Sequence, residues 1–452
     1  MSGLSQIVYF VQLGATASGL VLIPLFMRRN PVPVWITLLL AIGCATLALV
    51  TFKISDPSYH FWDFHSAYYP AGKAVITSAQ SLREMTGLGV SGFVNMPIVA
   101  YIFTPFALLP ETLAMYLFLA ASLVAVGVIW FLLARIASLS DADRWLLLLV
   151  FAANGPLLYS LKEGNTSHFI LLAMVGGLAF LRAGRSIAAG AVLGIAAIIK
   201  PPLLLFGLFF LLRRDMRGTL SFAIVCGAIV AASIMVFGWD DNLHWFDVCV
   251  VQFSHRWLAA FNVQSIPAFL FRFVAPAGML EDWNSQIPPA DLVLPANILF
   301  SLLIACAAVA LWRHTRAPKS QALHPALELQ YSLTICLVLL ASPLSWSHYY
   351  CWLLLPTALF LGWRRELAQP SRICGWLAIL LVTPVVRLLK FDAPWMLEAY
   401  KDIAVSHLLF GALLWFGVIT WWLAQRCPRA AVNHELKLPT SGYSGPFGGL
   451  RP

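Results

Sequence analysis

One apolar segment after another, many of them long enough to cross a lipid bilayer, constrains this chain more than any motif in it. The segments run 4–27, 34–53, 111–134, 145–160, 167–181, 186–199, 202–212, 219–238, 294–312, 327–343, 349–363, 373–389 and 404–424. About 20 apolar residues cross the hydrocarbon core as a helix. Lipid offers no hydrogen-bond partners, so a spanning backbone must satisfy its own polar groups, as a helix does. Charged residues make up 11% of the chain and hydrophobic ones 60%, with a mean hydropathy of +0.81. A soluble domain carries about 25% charged residues. The expected fold is therefore an all-α polytopic membrane protein. It forms one integral-membrane domain over 1–432, followed by a disordered, Gly/Pro/Ser-rich tail over 433–452. Residues 4–27 are expected to span rather than to act as a cleaved signal, because Met1–Gln6 lacks a basic stretch.

Composition also removes several function classes. The eight cysteines form no CxxC pair and most sit in apolar runs, where a small apolar core role suits them. Neither a disulfide framework nor a zinc site is implied. The net charge of +9 is divided among short loops rather than gathered in one patch, so it does not point to nucleic acid. His60 and His65 flank Asp63, but no ligand spacing completes a metal site.

Basic residues mark cytoplasmic loops. If the loop holding Asp63 lies outside, the inner loops and tail carry 19 of the 29 Lys+Arg and 6 of the 20 Asp+Glu. The split is then +13 inside against −4 outside, which puts Asp63 on the extracytoplasmic face and the C-terminus in the cytoplasm. The protein is expected in the cell (inner or plasma) membrane.

Two regions break the simple pattern. The apolar stretch 186–212 is interrupted by Lys200-Pro201-Pro202, and each half is too short to span at 1.5 Å per residue. Proline cannot continue a helix, and basic residues flank both ends. The stretch is expected to enter, break at Lys200 and return, with Lys200 facing a polar cavity. Residues 54–110 and 239–293 are too long for connectors and mix Trp, Tyr, His and charges with short apolar pieces. They are expected to form interfacial helices and re-entrant pieces in outer loops.

Polar clusters recur at the same ends of these segments. They are Asp63 with Tyr68, Tyr69 and Lys73; Glu163-Gly164-Asn165 with His168; Lys200-Pro201-Pro202; and Ser342-Pro343-Leu344-Ser345-Trp346-Ser347-His348-Tyr349-Tyr350. Asn262-Val263-Gln264-Ser265 with Arg272 forms a weaker fifth. A carboxylate near hydrocarbon costs several kcal/mol unless something compensates, so Asp63 marks a functional site by default.

This combination resembles glycosyltransferase family 87 of the GT-C superfamily over roughly residues 55–360. The most specific pieces are Ser342–His348 and the segment from Asp63 to Ala71. The chain carries Gly164-Asn165 where the family often has Gly-Gln, and Tyr349 where many relatives have a second His. The resemblance implies a GT-C-type bundle with broken helices and outer loop helices. It also implies an inverting transfer of a sugar, mannose or another hexose or pentose, from a polyprenyl phosphate to a lipid or glycan acceptor. Membrane lipids are the surroundings and no cofactor is required. Such a reaction needs a base for the acceptor hydroxyl and positive charge for the departing phosphate. Asp63 fits the base; Lys200, Arg272 and His348 fit the phosphate side, with Arg256 and His255 as further candidates. Tyr68, Tyr69, Lys73, Glu163, Asn165, His168, Asn262, Gln264, Arg256 and Trp346 are candidates for substrate contact. The alternative class is a lipid or solute transporter or flippase, which would place its polar residues near mid-depth.

Overall fold

A computed structural model describes residues 60–77, 79–315, 323–389 and 391–426, with a few isolated positions before residue 60. The expected spans 4–27 and 34–53 fall almost entirely outside the described residues, as does the tail 433–452. Among the described residues every regular element is helical, with two isolated β-bridges, Trp257–Gln286 and Val263–Trp346.

Among the described residues four helices are long and apolar enough to cross a membrane: Glu111–Ile136, Met216–His255, Ala290–Trp312 and Pro394–Gln425. A fifth candidate span is bent by 52° between Asp141–Ala153 and Gly155–Lys162. Asn154 causes that bend. It closes the first helix and caps the second, its Oδ1 accepting from the Leu157 N–H at 2.9 Å, while Pro156 sits in the first turn. Ser140 opens the same pair, its hydroxyl accepting from the Asp143 N–H.

The interrupted stretch folds as a hairpin. Ser186–Ile199 ends at Lys200, which is extended (φ −133°, ψ 91°), as a residue before proline prefers. Pro201–Leu212 follows. A Cβ on Gly190 would clash with the Gly218 carbonyl, and one on Gly218 with the Phe210 ring. Positions on both arms thus meet the same turn of the next helix, so the arms double back and Lys200 is the tip. Small residues allow this close approach between backbones. Asn95 completes the tip by donating to the Ile199 carbonyl at 2.6 Å.

Residues 239–255, expected within a segment of interfacial helices and re-entrant pieces, are helical, but as a continuation of the preceding span and not as a separate element. The helix beginning at Met216 kinks at Gly238 (φ 79°, ψ 168°) and continues to His255. Asn242 makes the continuation possible. Its Nδ2 donates to the carbonyls of Gly238 (2.7 Å) and Ser233 (3.1 Å), and its Oδ1 accepts from Ser233 Oγ at 2.6 Å. The side chain takes up polar groups that the kink releases. The segment expected over 373–389 is also shorter: the helix ends at Val382, and 383–389 continues without helix.

The bundle has two chemically different ends. At one, Arg182 pairs with Glu328 at 2.9 Å, Arg364 pairs with Asp143 at 2.6 Å, and Arg213 reaches Gln330. At the other lie Asp63, Glu163, Lys200 and the 345–350 segment, tied together as described below. Gly190→Val should lower the melting temperature in detergent, by roughly 2 kcal/mol of overpacking. Gly176→Val, where an added Cβ meets nothing within 4 Å, should leave the temperature nearly unchanged. Tryptophan fluorescence during a thermal ramp checks both.

Candidate active site

The site is assembled on the end of the bent span. Three N–H groups at the start of the helix over 62–77 hydrogen-bond to the terminal carbonyls of that span. Phe61 N–H donates to Lys162 O at 2.7 Å, and Asp63 N–H and Phe64 N–H donate to Glu163 O at 2.9 and 3.4 Å. These carbonyls lack partners inside their own helix, so the approaching segment replaces water. Gly164 makes the approach possible. Its φ is +64°, and an added Cβ would lie 2.7 Å from the Phe61 ring and 2.8 Å from Phe64 Cβ. Phe61 itself adopts φ +57°. Gly164→Ala combines a left-handed backbone with two close contacts, so it should cost about 2–4 kcal/mol or displace Asp63. Loss of thermal stability together with loss of turnover checks this.

Asp63 is half-buried. Asn165 Nδ2 donates to Asp63 Oδ2 at 2.5 Å and reaches the Tyr68 hydroxyl at 3.3 Å. Tyr68 stacks flat on Phe103, with centroids 4.5 Å apart, and its hydroxyl lies 3.5 Å from Thr166 Oγ1. Asp63 and Glu163 lie outside the candidate spans. Burial raises the Asp63 carboxyl above its ordinary range; the Asn165 hydrogen bond and then the charges of Lys200 and Lys162 partly offset it. Glu163 is paired with Lys162 at 2.8 Å, yet burial and then the Asp63 charge push it up to about 7.

The opposite wall is aromatic. Lys200 Nζ, buried, lies 4.8 Å from the Tyr349 ring centroid in a cation–π contact. Tyr349 stacks on Trp352 at 4.9 Å, and Trp352 Nε1 donates to the Ser167 carbonyl at 3.0 Å. That bond joins the aromatic wall to the loop of Asn165. His348 stacks with Trp346 (6.3 Å) and Tyr159 (6.2 Å), and its buried Nδ1 has no hydrogen-bond partner among the described residues. Ser347 N–H donates to Asn262 O at 2.8 Å, and Gln264 N–H to Ser345 O at 2.6 Å, a short ladder that fixes the wall's far edge.

The structure brings Asp63, Tyr68, Glu163, Asn165 and Lys200 together, with His348 and the half-buried Trp346 along the same wall. Asn262 borders it: the Tyr159 hydroxyl hydrogen-bonds its side chain, and Trp283 Nε1 donates to its Oδ1 at 3.0 Å.

Other sequence candidates have different work. Arg272, expected on the donor phosphate, is fully buried. Its Nε donates to Ala259 O (3.0 Å), its Nη1 to Ser406 Oγ (2.8 Å) and its Nη2 to Ala260 O (2.7 Å) and Val263 O. Four of its five N–H groups are engaged, so it organises the 259–263 turn instead of facing a ligand. Gln264 donates to the carbonyls of Phe261 and Val405, and Tyr69 to that of Leu109. His168 is a buried ring whose Nδ1 lies 3.0 Å from Ser160 Oγ. Lys73 and Arg256 are exposed.

Sequence reasoning missed Lys162, Tyr159 and Asn95. Lys162 adjoins the Glu163-Gly164-Asn165 run and was open to view there. Tyr159 lies one turn before Glu163 on the same helix, a spacing that places the two on one face. Nothing local to Asn95 announces a bond to a carbonyl 104 residues away.

These features define a helical membrane protein that holds a carboxylate and a cation together at one end of its bundle. The pattern of glycosyltransferase family 87 matches residues 93–343, more than half of the chain, and the chain belongs to that family. Asp63 lies outside the matched range. Two similar curated proteins are both described as polyprenol-phosphate-mannose-dependent alpha-(1-2)-phosphatidylinositol mannoside mannosyltransferases. The one from Mycolicibacterium smegmatis is 28% identical over 209 residues, which cover 44% of this chain and 43% of the relative. The one from Mycobacterium tuberculosis is 30% identical over 184 residues, covering 39% and 38%. The chain thus matches less than half the length of each relative. No solved structure matches the chain.

Proposed function

We propose that this chain transfers a sugar, mannose in the first instance, from a polyprenyl phosphate to a lipid or glycan hydroxyl on the extracytoplasmic face, with inversion. The observation that carries the reading is that the Asp63 carboxylate and the buried Lys200 ammonium stand at the same end of the bundle, joined through Asn165, Ser167, Trp352 and Tyr349. In a chain so poor in charge, a carboxylate and an ammonium feel each other's field at one end of the bundle, beside an aromatic wall.

The chemistry follows from that arrangement. The acceptor oxygen attacks the anomeric carbon from the face opposite the phosphate. Asp63 receives the hydroxyl proton as the new C–O bond forms. The bond from the anomeric carbon to the phosphate oxygen breaks, and the polyprenyl phosphate leaves with its electron pair. Lys200 stabilises the charge gathering on that phosphate, and the unpartnered Nδ1 of His348 supplies a further hydrogen bond. Tyr159 and Trp346 offer flat, half-buried surfaces for a sugar ring. A phosphatidylinositol mannoside, the acceptor in the relatives' descriptions, is the first acceptor to test. Titratable groups gathered at one end, rather than at mid-depth, favour transfer over the transporter alternative.

Asp63→Asn should reduce turnover by at least about 100-fold, a typical general-base contribution. Lys200→Met keeps the stem and removes the charge; it should lower kcat and raise the KM for donor while the KM for acceptor holds. Because burial raises the Asp63 carboxyl and only its ionised form accepts a proton, kcat/KM should fall as pH drops through a value above the ordinary 3.8. The assay is sugar transfer from synthetic polyprenyl-phosphate mannose in nanodiscs. Full activity of Asp63→Asn would remove the base assignment, and solute or lipid movement without sugar transfer would favour the transporter.

Sidedness has its own test. In a variant without native cysteines, a cysteine at exposed Ser91 should react with a membrane-impermeant thiol reagent in intact cells, and one at exposed Ala183 should not. The reverse pattern would put the site in the cytoplasm.

A further inference from the structure

Asn165 lies against Asp63. Its side-chain amide is held from both sides. Oδ1 accepts from the Ser167 N–H at 3.0 Å and from Ser167 Oγ at 2.8 Å. With the oxygen so occupied, the NH2 group must point the other way, where it reaches Asp63 Oδ2 at 2.5 Å and the Tyr68 hydroxyl at 3.3 Å. Asn165 and Ser167 are both buried, so water does not compete for these bonds. The anchor extends further, because the Ser167 carbonyl accepts from Trp352 Nε1. Among the described residues, Asn165 is the side chain hydrogen-bonded to the Asp63 carboxylate.

We propose that Asn165 is the positioning residue of the Asp63 base: it fixes Oδ2 and thereby presents Oδ1 as the oxygen that meets the acceptor hydroxyl. The inference rests on the reading of Asp63 as base and adds a part to it. A free carboxylate rotates about its Cβ–Cγ bond and offers either oxygen. One held by a locked amide offers a single oxygen in a single direction, which is how a near-attack geometry is maintained. Ser167 is the third member, since without its hydroxyl the amide is held by one N–H alone.

The arrangement has a signature that a purely structural asparagine lacks. An amide N–H stabilises the ionised carboxylate, so its loss makes Asp63 harder to ionise. The other groups that act on Asp63 stay in place: Lys200 and Lys162 as cations, Glu163 as an acid, and Tyr68, Tyr159 and Tyr349 as phenols. The titration of Asp63 must then move to higher pH, and the acid limb of kcat/KM must move with it.

The experiment reads the Asp63 carboxyl directly, by infrared difference titration of nanodisc-embedded protein against Asp63→Asn. It also records kcat/KM against pH with polyprenyl-phosphate mannose as donor and a phosphatidylinositol mannoside as acceptor. Asn165→Ala should shift the Asp63 titration upward by about one pH unit, with kcat/KM below the shifted limb reduced about tenfold. Ser167→Ala, a smaller change at a buried position, should move both in the same direction by less, and it carries the test if Asn165→Ala does not fold. Titration of both variants at the wild-type pH, in folded protein, would overturn the inference. The infrared arm needs no substrate. A wild type that transfers no sugar, or an Asp63→Asn that transfers it normally, would therefore count against the transfer reading and leave the role of Asn165 to be decided by titration alone.

Discussion

Three hydrogen bonds from the backbone N–H groups of Phe61, Asp63 and Phe64 to the carbonyls of Lys162 and Glu163 hold the site in existence. Without them the segment carrying Asp63 would be a loop over the bundle, free to place its carboxylate anywhere. With them, the end of a bent span becomes the floor under the carboxylate, and the backbone after Gly164 delivers Asn165 to its side. The arrangement is economical because it uses carbonyls that every helix terminus leaves without partners. Its requirement is a residue with no side chain at 164, where the Phe61 and Phe64 side chains fill the space.

Charge is scarce in this chain, so its distribution carries meaning. At one end arginines pair with single acids, as Arg182 does with Glu328 and Arg364 with Asp143, which neutralises charge where helices meet. At the other end two carboxylates and two lysines share one region, and the pairing is incomplete: Lys162 holds Glu163, while Lys200 faces an aromatic ring with Asp63 acting on it from a distance. An incompletely paired buried cation is costly, and proteins retain one where a ligand supplies the missing anion.

Much of this was legible in the chain. Among the described residues, the length of the apolar runs placed several helices, such as Glu111–Ile136 and Ala290–Trp312, to within a few residues, because a membrane leaves few alternatives. The break at Lys200-Pro201-Pro202 was readable because proline forbids the continuation, and the doubling back was readable from arginines at both ends. Asp63 stood out as a carboxylate beside hydrocarbon. What stayed hidden was long-range. Arg272 carries the same charge as Lys200 and follows a polar cluster of the same kind, yet it closes a turn on four acceptors; only the fold reveals that its N–H groups are occupied. Asn165 was visible as a member of a motif, but its bond to a residue 102 positions earlier was not. That one helix runs on through Gly238 was hidden because glycine in a polar setting reads as an end, and Asn242, which makes it a bend, acts through geometry alone.

That bend divides a long helix. The helix from Met216 to His255 has 40 residues, which if straight would measure about 60 Å, twice the roughly 30 Å of a bilayer's hydrocarbon core. Its half beyond Gly238 is tied to the site. Trp245 Nε1 donates to the Val94 carbonyl at 3.0 Å; the next residue, Asn95, caps Ile199; and the residue after Ile199 is Lys200. The position of the lysine is thus linked, through three adjoining steps, to the helix beyond Gly238. Whatever moves that half of the helix moves the cation with it.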